Sequence, residues 1–445
     1  MKSKLVLLLA VVFLTTSLLM GCGAQQQAPT ETTEETEAPE EAEEPTTVET
    51  VRIGAILPLT GGAAATGVKL RAAMEVAQDI INGEYPELAK VPLAKEVGLP
   101  NLGNAKLEII FADHQGNPEM AKSEAERLIE QGVAGLVGAY QSSCTKPASQ
   151  AAEQYGVPFV AGSSSSAALT ERGLNYFVRV APNDDIETAM FFDYLIYLND
   201  KYNADIKTVA VAYIDNEFGV HAKEMVEKWV KEKYGALGFE LVGVVPYAVD
   251  VTNVDTEVQQ IKSLNADAVF HASYIADITM FVNKYKEFKV APKAVLNYCG
   301  GFQDTQFVVN LGSDSDYFAG GAAFSAEKLG DMPELAKINE FYKAKTGADL
   351  DGPALEEFSS VLVLAEAINI AKSLDGDAII EVIKNTKFDA PYYATGAIKF
   401  DAKGQNEILA SYMVQTQNGK YQAVYPEEIA TAEPVVPIPD WDKRN

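Results

Sequence analysis

The stretch "VAGLVGAYQSSCTKPASQAAEQYGVPFVAGSSSSAALT", residues 133–170, holds two apolar runs of strand length with a helical segment between them. "VAGLVGAY" (133–140) and "VPFVAGS" (157–163) are continuous in apolar residues rather than alternating, as strands covered on both faces are. "KPASQAAEQYG" (146–156) is rich in helix formers and ends on glycine, a helix stop. Strand, helix, strand over this length is a parallel crossover unit. The four serines at 163–166 therefore stand at the carboxyl end of a strand and are not a linker.

The same alternation runs outward in both directions. Upstream, "VRIGAIL" (51–57) and "KLEIIFAD" (106–113) read as strands, and 65–82 and 117–132 as helices. In the first helix Leu70, Ala73, Met74, Ala77, Ile80 and Ile81 share one side. The second has Pro118 just inside its start and Gly132 just past its end. Downstream, strands are expected at 208–215, 239–247, 266–274 and 293–300, with helices at 217–235, 254–265 and 276–288. Helices at 354–371 and 377–385 and strands at 396–401 and 409–416 close the chain. Residues 83–105, rich in Pro and Gly, read as an ordered insertion at a rim. The fold class is α/β, with two doubly wound parallel-sheet units.

The chain has 445 residues and a net charge of −27. Residues 1–22 read as an export signal: Lys2 and Lys4, an apolar run at 5–14, then "LMGC" ending on Cys22. "LMGC" resembles a bacterial lipobox, which implies lipidation at Cys22 and a cell membrane, lipid-anchored location on the extracytoplasmic face. The alternative is plain secretion with an incidental cysteine. Residues 23–50 hold nine glutamates and no lysine or arginine, and read as an acidic disordered tether. The body, 51–445, still carries −20, which argues against nucleic acid as a partner. Cys144 and Cys299 are too few for a disulfide framework and are expected to be free thiols.

In open parallel sheets ligands bind beyond the carboxyl ends of the strands. The informative residues are therefore those in "PLTGGAAATG", "YQSSCT", "AGSSSSAAL", "IDNEFG", "HASYIAD" and "NYCGG". An extracellular hydrolase is the weakest reading. "GSSSS" has Ser166 where a nucleophile elbow needs glycine, and only His114 is placed to serve as a base. "GAAATG" (62–67) lacks the Lys-Ser/Thr of a phosphate loop. No enzyme, cofactor or metal site is expected. What remains is a small polar solute held by hydroxyls and amides. Ser142, Ser143, Ser163, Ser164 and Ser165 either cradle a carboxylate or merely cap the helices that follow.

"VRIGAILPLTG", the stretch from 117 to 173 and "YFVRVAPND" together resemble the branched-chain amino acid binding lipoproteins of ABC importers, the leucine/isoleucine/valine class of type I periplasmic binding proteins. The resemblance spans 51–430 and is most specific across 133–183. It implies two lobes joined by a three-crossing hinge, with crossings near 181–184, 322–326 and 398–402. Lobe 1 is then 51–181 plus 325–399, lobe 2 is 182–324 plus 400–430, and 431–445 is a C-terminal tail. The implied function is capture of a small solute, an amino acid above all, between closing lobes, for delivery to ABC permease membrane subunits by a monomer. A sensor module for amides, amino acids or small carboxylates is the alternative on the same fold.

Carried over by position, the resemblance makes Ser142, Ser163, Ser164 and Ser165 the carboxylate side of the site, and Phe218 and Tyr274 its lobe-2 cover. Thr66 stands where such binders carry tryptophan. Cys299 falls in "YCGG", where the family's acidic partner for the ligand ammonium is expected. The implied substitute is Asp215, Asp277 or Asp304, or else a ligand without an amino group.

Overall fold

The computed structural model describes residues 48–322, 331–408 and 411–444. The export signal, Cys22 and nearly all of the acidic tether lie outside the described residues, as do residues 323–326 of the expected second crossing.

The first sheet grows from the alternation seen in the sequence. It runs β1 (Thr50–Leu57), α1 (Ala64–Asn82), β2 (Lys106–Asp113), α2 (Pro118–Glu130), β3 (Leu136–Gly138), α3 (Ser142–Tyr155), β4 (Phe159–Ala161) and β5 (Phe177–Arg179). Every pairing is parallel and the order is β2-β1-β3-β4-β5. The central strands are shorter than their apolar runs, because the ends of those runs turn into the cleft-side loops. α2 begins where expected: the Asn117 side chain accepts from the Glu119 and Met120 amides and Pro118 opens the helix. The 83–105 segment is ordered, with Leu88, Val91, Ala94 and Leu99 buried.

The second sheet follows α4 (Asp184–Tyr202). It is built from β6 (Thr208–Ile214), α5 (Glu217–Glu232), β7 (Glu240–Tyr247), α6 (Asp255–Leu264), β8 (Ala268–Ala272), α7 (Ile275–Phe288), β9 (Ala294–Asn297), the short α8 (Cys299–Phe302) and α9 (Gln306–Leu311), and β10 (Ala319–Ala322). The chain then forms α10 (Pro333–Thr346), α11 (Gly352–Ala371) and α12 (Gly376–Asn385), with α10 and α11 against α1 of the first lobe. A two-residue ribbon, β11 (Phe388–Asp389) with β12 (Ala397–Ile398), precedes β13 (Tyr412–Gln417) and β14 (Lys420–Tyr425). The order is β14-β13-β10-β9-β8-β6-β7. Its parallel part repeats the topology of the first sheet, so each sheet has its switch point between the first and third strands of its unit.

Three details depart from the sequence reading. The second sheet is not wholly parallel, since β13 pairs antiparallel with β10 and β14 with β13. Asn418 and Gly419 both take positive φ and make the tight turn between them. The strand expected at 396–401 shrinks to Ala397–Ile398, because the chain there leaves one lobe for the other. Helices α4 and α10 were not read from the sequence. In α10 Leu335, Ile338 and Tyr342 form a buried stripe, with Pro333 and Gly347 at its ends.

The chain crosses between the lobes after β5, after β10 and after β12. The first and third crossings lie side by side. Gln405 Nε2 donates to the Ala181 carbonyl (2.9 Å) and Asn406 Nδ2 to that of Val180 (3.1 Å). Arg179, wholly buried on β5, ties them to the serine loop. Its guanidinium donates to Gln405 Oε1 (2.6 and 2.9 Å), to the carbonyls of Ser164 (3.1 Å) and Ser166 (2.6 Å), and to Thr170 Oγ1 (3.3 Å). Residues 431–444 lie against the second lobe, with Trp441 Nε1 donating to the Val290 carbonyl (2.7 Å). Arg179→Met orphans several buried acceptors at once. Urea unfolding should show it less stable by about 3–5 kcal/mol, and an unchanged midpoint would deny Arg179 its anchoring role.

Candidate ligand-binding site

The loops that leave the carboxyl ends of β1, β3 and β4 face those that leave β6, β8 and β9. The lobes are in contact. Tyr140 Oη donates to the Gly300 carbonyl across the cleft (2.5 Å), and its ring lies 5.6 Å from that of Tyr274. Thr66 Oγ1 donates to Asp304 Oδ2 (2.9 Å), and Lys69 also bonds Asp304 while lying 4.0 Å from Asp351. Lys146 on α3 reaches Glu217 on α5 (2.8 Å).

From lobe 1 the serines arrive in two turns. Ser142 opens α3, and its Oγ accepts from the Ser166 amide (3.2 Å), which joins the two turns. Ser163 donates through its amide (3.2 Å) and hydroxyl (2.8 Å) to Glu357 Oε1. The Ser164 hydroxyl is spent on Thr145 Oγ1 (2.5 Å) and the Tyr140 carbonyl (3.1 Å). The Ser165 carbonyl accepts from the Asp184 amide (2.9 Å), and its hydroxyl lies beside the Asp184 carboxyl and the Cys299 thiol. None of Ser142, Ser143, Ser163, Ser164 and Ser165 is the N-cap of the helix that follows it: Gln141 and Ser166 precede α3 and the turn at 167–170, and neither side chain caps. From lobe 2, Phe218 sits in the first turn of α5 and Tyr274 precedes α7, their rings 5.4 Å apart. Both are buried, as is Cys299 at the start of α8. A side chain on Gly300 would come within 3.1 Å of the Phe218 ring, so glycine is what allows this close approach.

Two facing sheets of one topology, with such loops between them, have known counterparts. Residues 50–420 match the family model described as periplasmic binding protein. The chain belongs to the periplasmic binding protein family. It is similar to the Leu/Ile/Val-binding proteins: Leu/Ile/Val-binding protein homolog 7 of Brucella abortus (strain 2308) is 27% identical over 391 residues, covering 86% of this chain and 93% of the relative. The isoleucine complex of the branched-chain amino acid binding protein LivJ from Streptococcus pneumoniae superposes with a TM-score of 0.70 at 20% identity, over 85% of this chain and 100% of LivJ. A solute-binding protein of an ABC transporter from Rhodopseudomonas palustris BisB5, bound to 3,4-dihydroxybenzoic acid, also gives 0.70, at 21% identity over 87% and 99% of the two chains. At these identities the two structures speak for the fold. Members of this family bind solutes outside the cytoplasm and are not catalysts.

The acids tell a different story from the one the resemblance implied. Asp215 is exposed. Asp277 accepts from the Tyr274 amide and Tyr247 Oη (both 3.3 Å), and Asp304 is held by Lys69 and Thr66. The acids that sequence reasoning missed are Asp184 and Glu187 on α4 and Glu356 and Glu357 on α11, all buried. Glu357 is bonded by Ser163, whereas among the described residues Asp184 has only the nearby Ser165 hydroxyl, Glu187 only the backbone and thiol of Cys299, and Glu356 Oε2 no partner. Burial pushes Asp184 up to about 7, against the pull of Ser165 and Arg179. Burial and then the charge of Asp184 push Glu187 up to about 8.

A sequence signal for these acids existed. Asp184 and Glu187 fall at three-and-four spacing with Phe191, Leu195 and Leu198, the buried face of α4. They were masked by a second meaning, since acids in a first helical turn suit the helix dipole. His114 is no general base: Nε2 is 3.0 Å from the Ala139 carbonyl, and Nδ1 accepts from the Gly116 amide (3.0 Å).

Raised carboxyl pKa values set a sign for stability. The unfolded chain ionises these groups near pH 4, so their protonated forms favour the fold and that advantage is lost as pH climbs through 7 to 8. His114, held down to about 4 by burial, is neutral throughout that range. The ligand-free protein should melt at a lower temperature at about pH 8.5 than at about pH 6.5, and Glu187→Gln should flatten the slope; a flat wild-type profile in differential scanning calorimetry would contradict the burial of these acids.

Proposed function

We propose that this is the solute-capturing component of an ABC importer, and that the cleft between the facing strand ends is its solute site. The observation that supports this best is the convergence, at the switch points of both sheets, of the serine turns from lobe 1 and the Phe218–Tyr274 pair from lobe 2. In this reading Ser142 and Ser165 supply hydroxyls to a carboxylate, while Ser163 and Ser164, whose hydroxyls are spent within lobe 1, supply backbone. Phe218 and Tyr274 cover the remainder, Cys299 lines the wall between them, and Thr66 holds the mouth through Asp304. The lobes are taken as 51–181 plus 325–399 and 182–324 plus 400–430, with the first crossing near 181–184. Cys22 would carry the lipid anchor, and a permease would take the solute from the cleft.

Solute favours the closed form by its difference in affinity for the two forms. Thermal shift of the full chain against amino acids, their 2-oxo acids, amides and aromatic acids tests this. A ligand at a hundred times its Kd should add about 2.7 kcal/mol. The double variant Ser142→Ala, Ser165→Ala should bind the hit roughly a hundredfold more weakly, each lost hydroxyl removing about 1.5 kcal/mol from a charge-assisted contact. Unchanged affinity in that variant would leave the serines as lobe-1 structure alone.

A further inference from the structure

One cation and two acids meet where the lobes touch, and they belong to different lobes. Lys69 stands on α1, and Asp351 caps α11, its side chain accepting from the Ala354 amide (3.0 Å). The two helices pack along one another within lobe 1, so this lysine and this acid stay neighbours however the lobes move. Asp304 belongs to lobe 2. Its Oδ1 accepts from the Gln306 amide (2.8 Å), and its carbonyl accepts from the Phe307 amide (2.8 Å) and from Tyr421 Oη on β14 (3.3 Å). Three bonds therefore fix Asp304 to the second lobe, and it travels with that lobe.

Lys69 Nζ bonds Asp304 Oδ1, with Thr305 Oγ1 3.3 Å away and Asp351 Oδ2 4.0 Å away. Thr66, one turn earlier on α1, donates to the other oxygen of Asp304 (2.9 Å). Thr66, Asp304 and Asp351 are buried, and the lysine side chain is 12% exposed. Solvent screens this pair far less than the Lys146–Glu217 pair, whose lysine is 49% exposed. Burial and then the charge of Asp304 raise the Asp351 carboxyl above the usual carboxylate range, against the pull of Lys69. Parting the lobes removes that repulsion and restores the ordinary ionisation of Asp351, with Lys69 as the cation beside it. We propose that Lys69 is a two-position latch: it closes the cleft on Asp304 and falls back on Asp351 when the lobes part. Each position pairs the lysine with one acid, so the closed form has a hold of its own and can still release. The latch acts without a solute, and it stands or falls separately from the solute reading of the cleft.

Hydrogen exchange of the full chain without solute, read by mass spectrometry, tests this. Peptides from the cleft turns, 140–145 and 298–303, should exchange roughly tenfold faster in Lys69→Met than in the wild type. The core strands β1 and β8 should keep their rates. Asp304→Asn should act in the same direction and serves if the first variant does not fold. Asp351→Asn keeps an oxygen for the Ala354 and Thr305 amides but removes the fall-back charge, and should slow exchange of the same cleft peptides. That opposite sign separates an exchanging lysine from a merely structural ion pair, whose loss would speed exchange in all three variants. Unchanged cleft exchange in Lys69→Met and Asp304→Asn, or a rise shared by β1 and β8, would overturn the latch. Exchange in Asp351→Asn as fast as in the wild type, or faster, would overturn its second position.

Discussion

The cleft hangs on a buried guanidinium. Arg179 holds the carbonyls of Ser164 and Ser166 with one nitrogen and the Gln405 side chain with two others, so the serine turn and the third crossing share one anchor. Without it, two loops of unpaired carbonyls would face a dry interior, and each orphaned acceptor costs about 1–3 kcal/mol. Asp184 opens α4 directly after this anchor, and its amide is bonded to the Ser165 carbonyl. Position therefore passes in one chain of hydrogen bonds from the hinge strand to the serines and on to the acids of α4.

A second set of contacts spans the lobes. Thr66 and Lys69 on α1 meet Asp304 beyond α8, Tyr140 meets Gly300, and Lys146 meets Glu217. The Lys69–Asp304 pair is largely buried, whereas the Lys146–Glu217 pair is partly exposed and worth little in salt. These contacts involve no solute atom. They give the closed form some stability of its own, and they put a polar wall of Thr66 and Asp304 where the resemblance implied an aromatic one. The mouth of the cleft is thus shaped by charge pairing between lobes rather than by an apolar lid.

The fold was legible because its strands are continuous apolar runs and its helices keep their period. Both sheets, the strand-end placement of the serines, and the position of Phe218 and Tyr274 just past lobe-2 strands follow from that pattern, while their role as cover came only from the resemblance. The β13–β14 hairpin was missed although Asn418-Gly419 announces it, because the alternation upstream favoured another parallel strand. The acids were less legible for a physical reason. A one-dimensional pattern shows that Asp184 and Glu187 sit on the apolar face of a helix start, but helix caps place acids there too. Only three-dimensional proximity shows that Glu356, far along the chain, shares their space and that nearby Arg179 is already bonded. Asp277 and Asp304 misled in the opposite sense. They stand at strand ends, yet one accepts from the backbone that opens α7 and the other latches the lobes.

Closure and charge are linked by solvation. In an open cleft water would solvate Asp184, Glu187 and Glu356, and their ordinary ionisation would hold. Closing removes that water, so the empty protein must either take up protons or bear buried charge, and both oppose closure as pH rises. A solute whose polar atoms replace that water offsets the cost as the lobes close, which widens the difference in affinity between the two forms. A wide difference is what a two-lobed binder needs if closure is to report that the right solute is present.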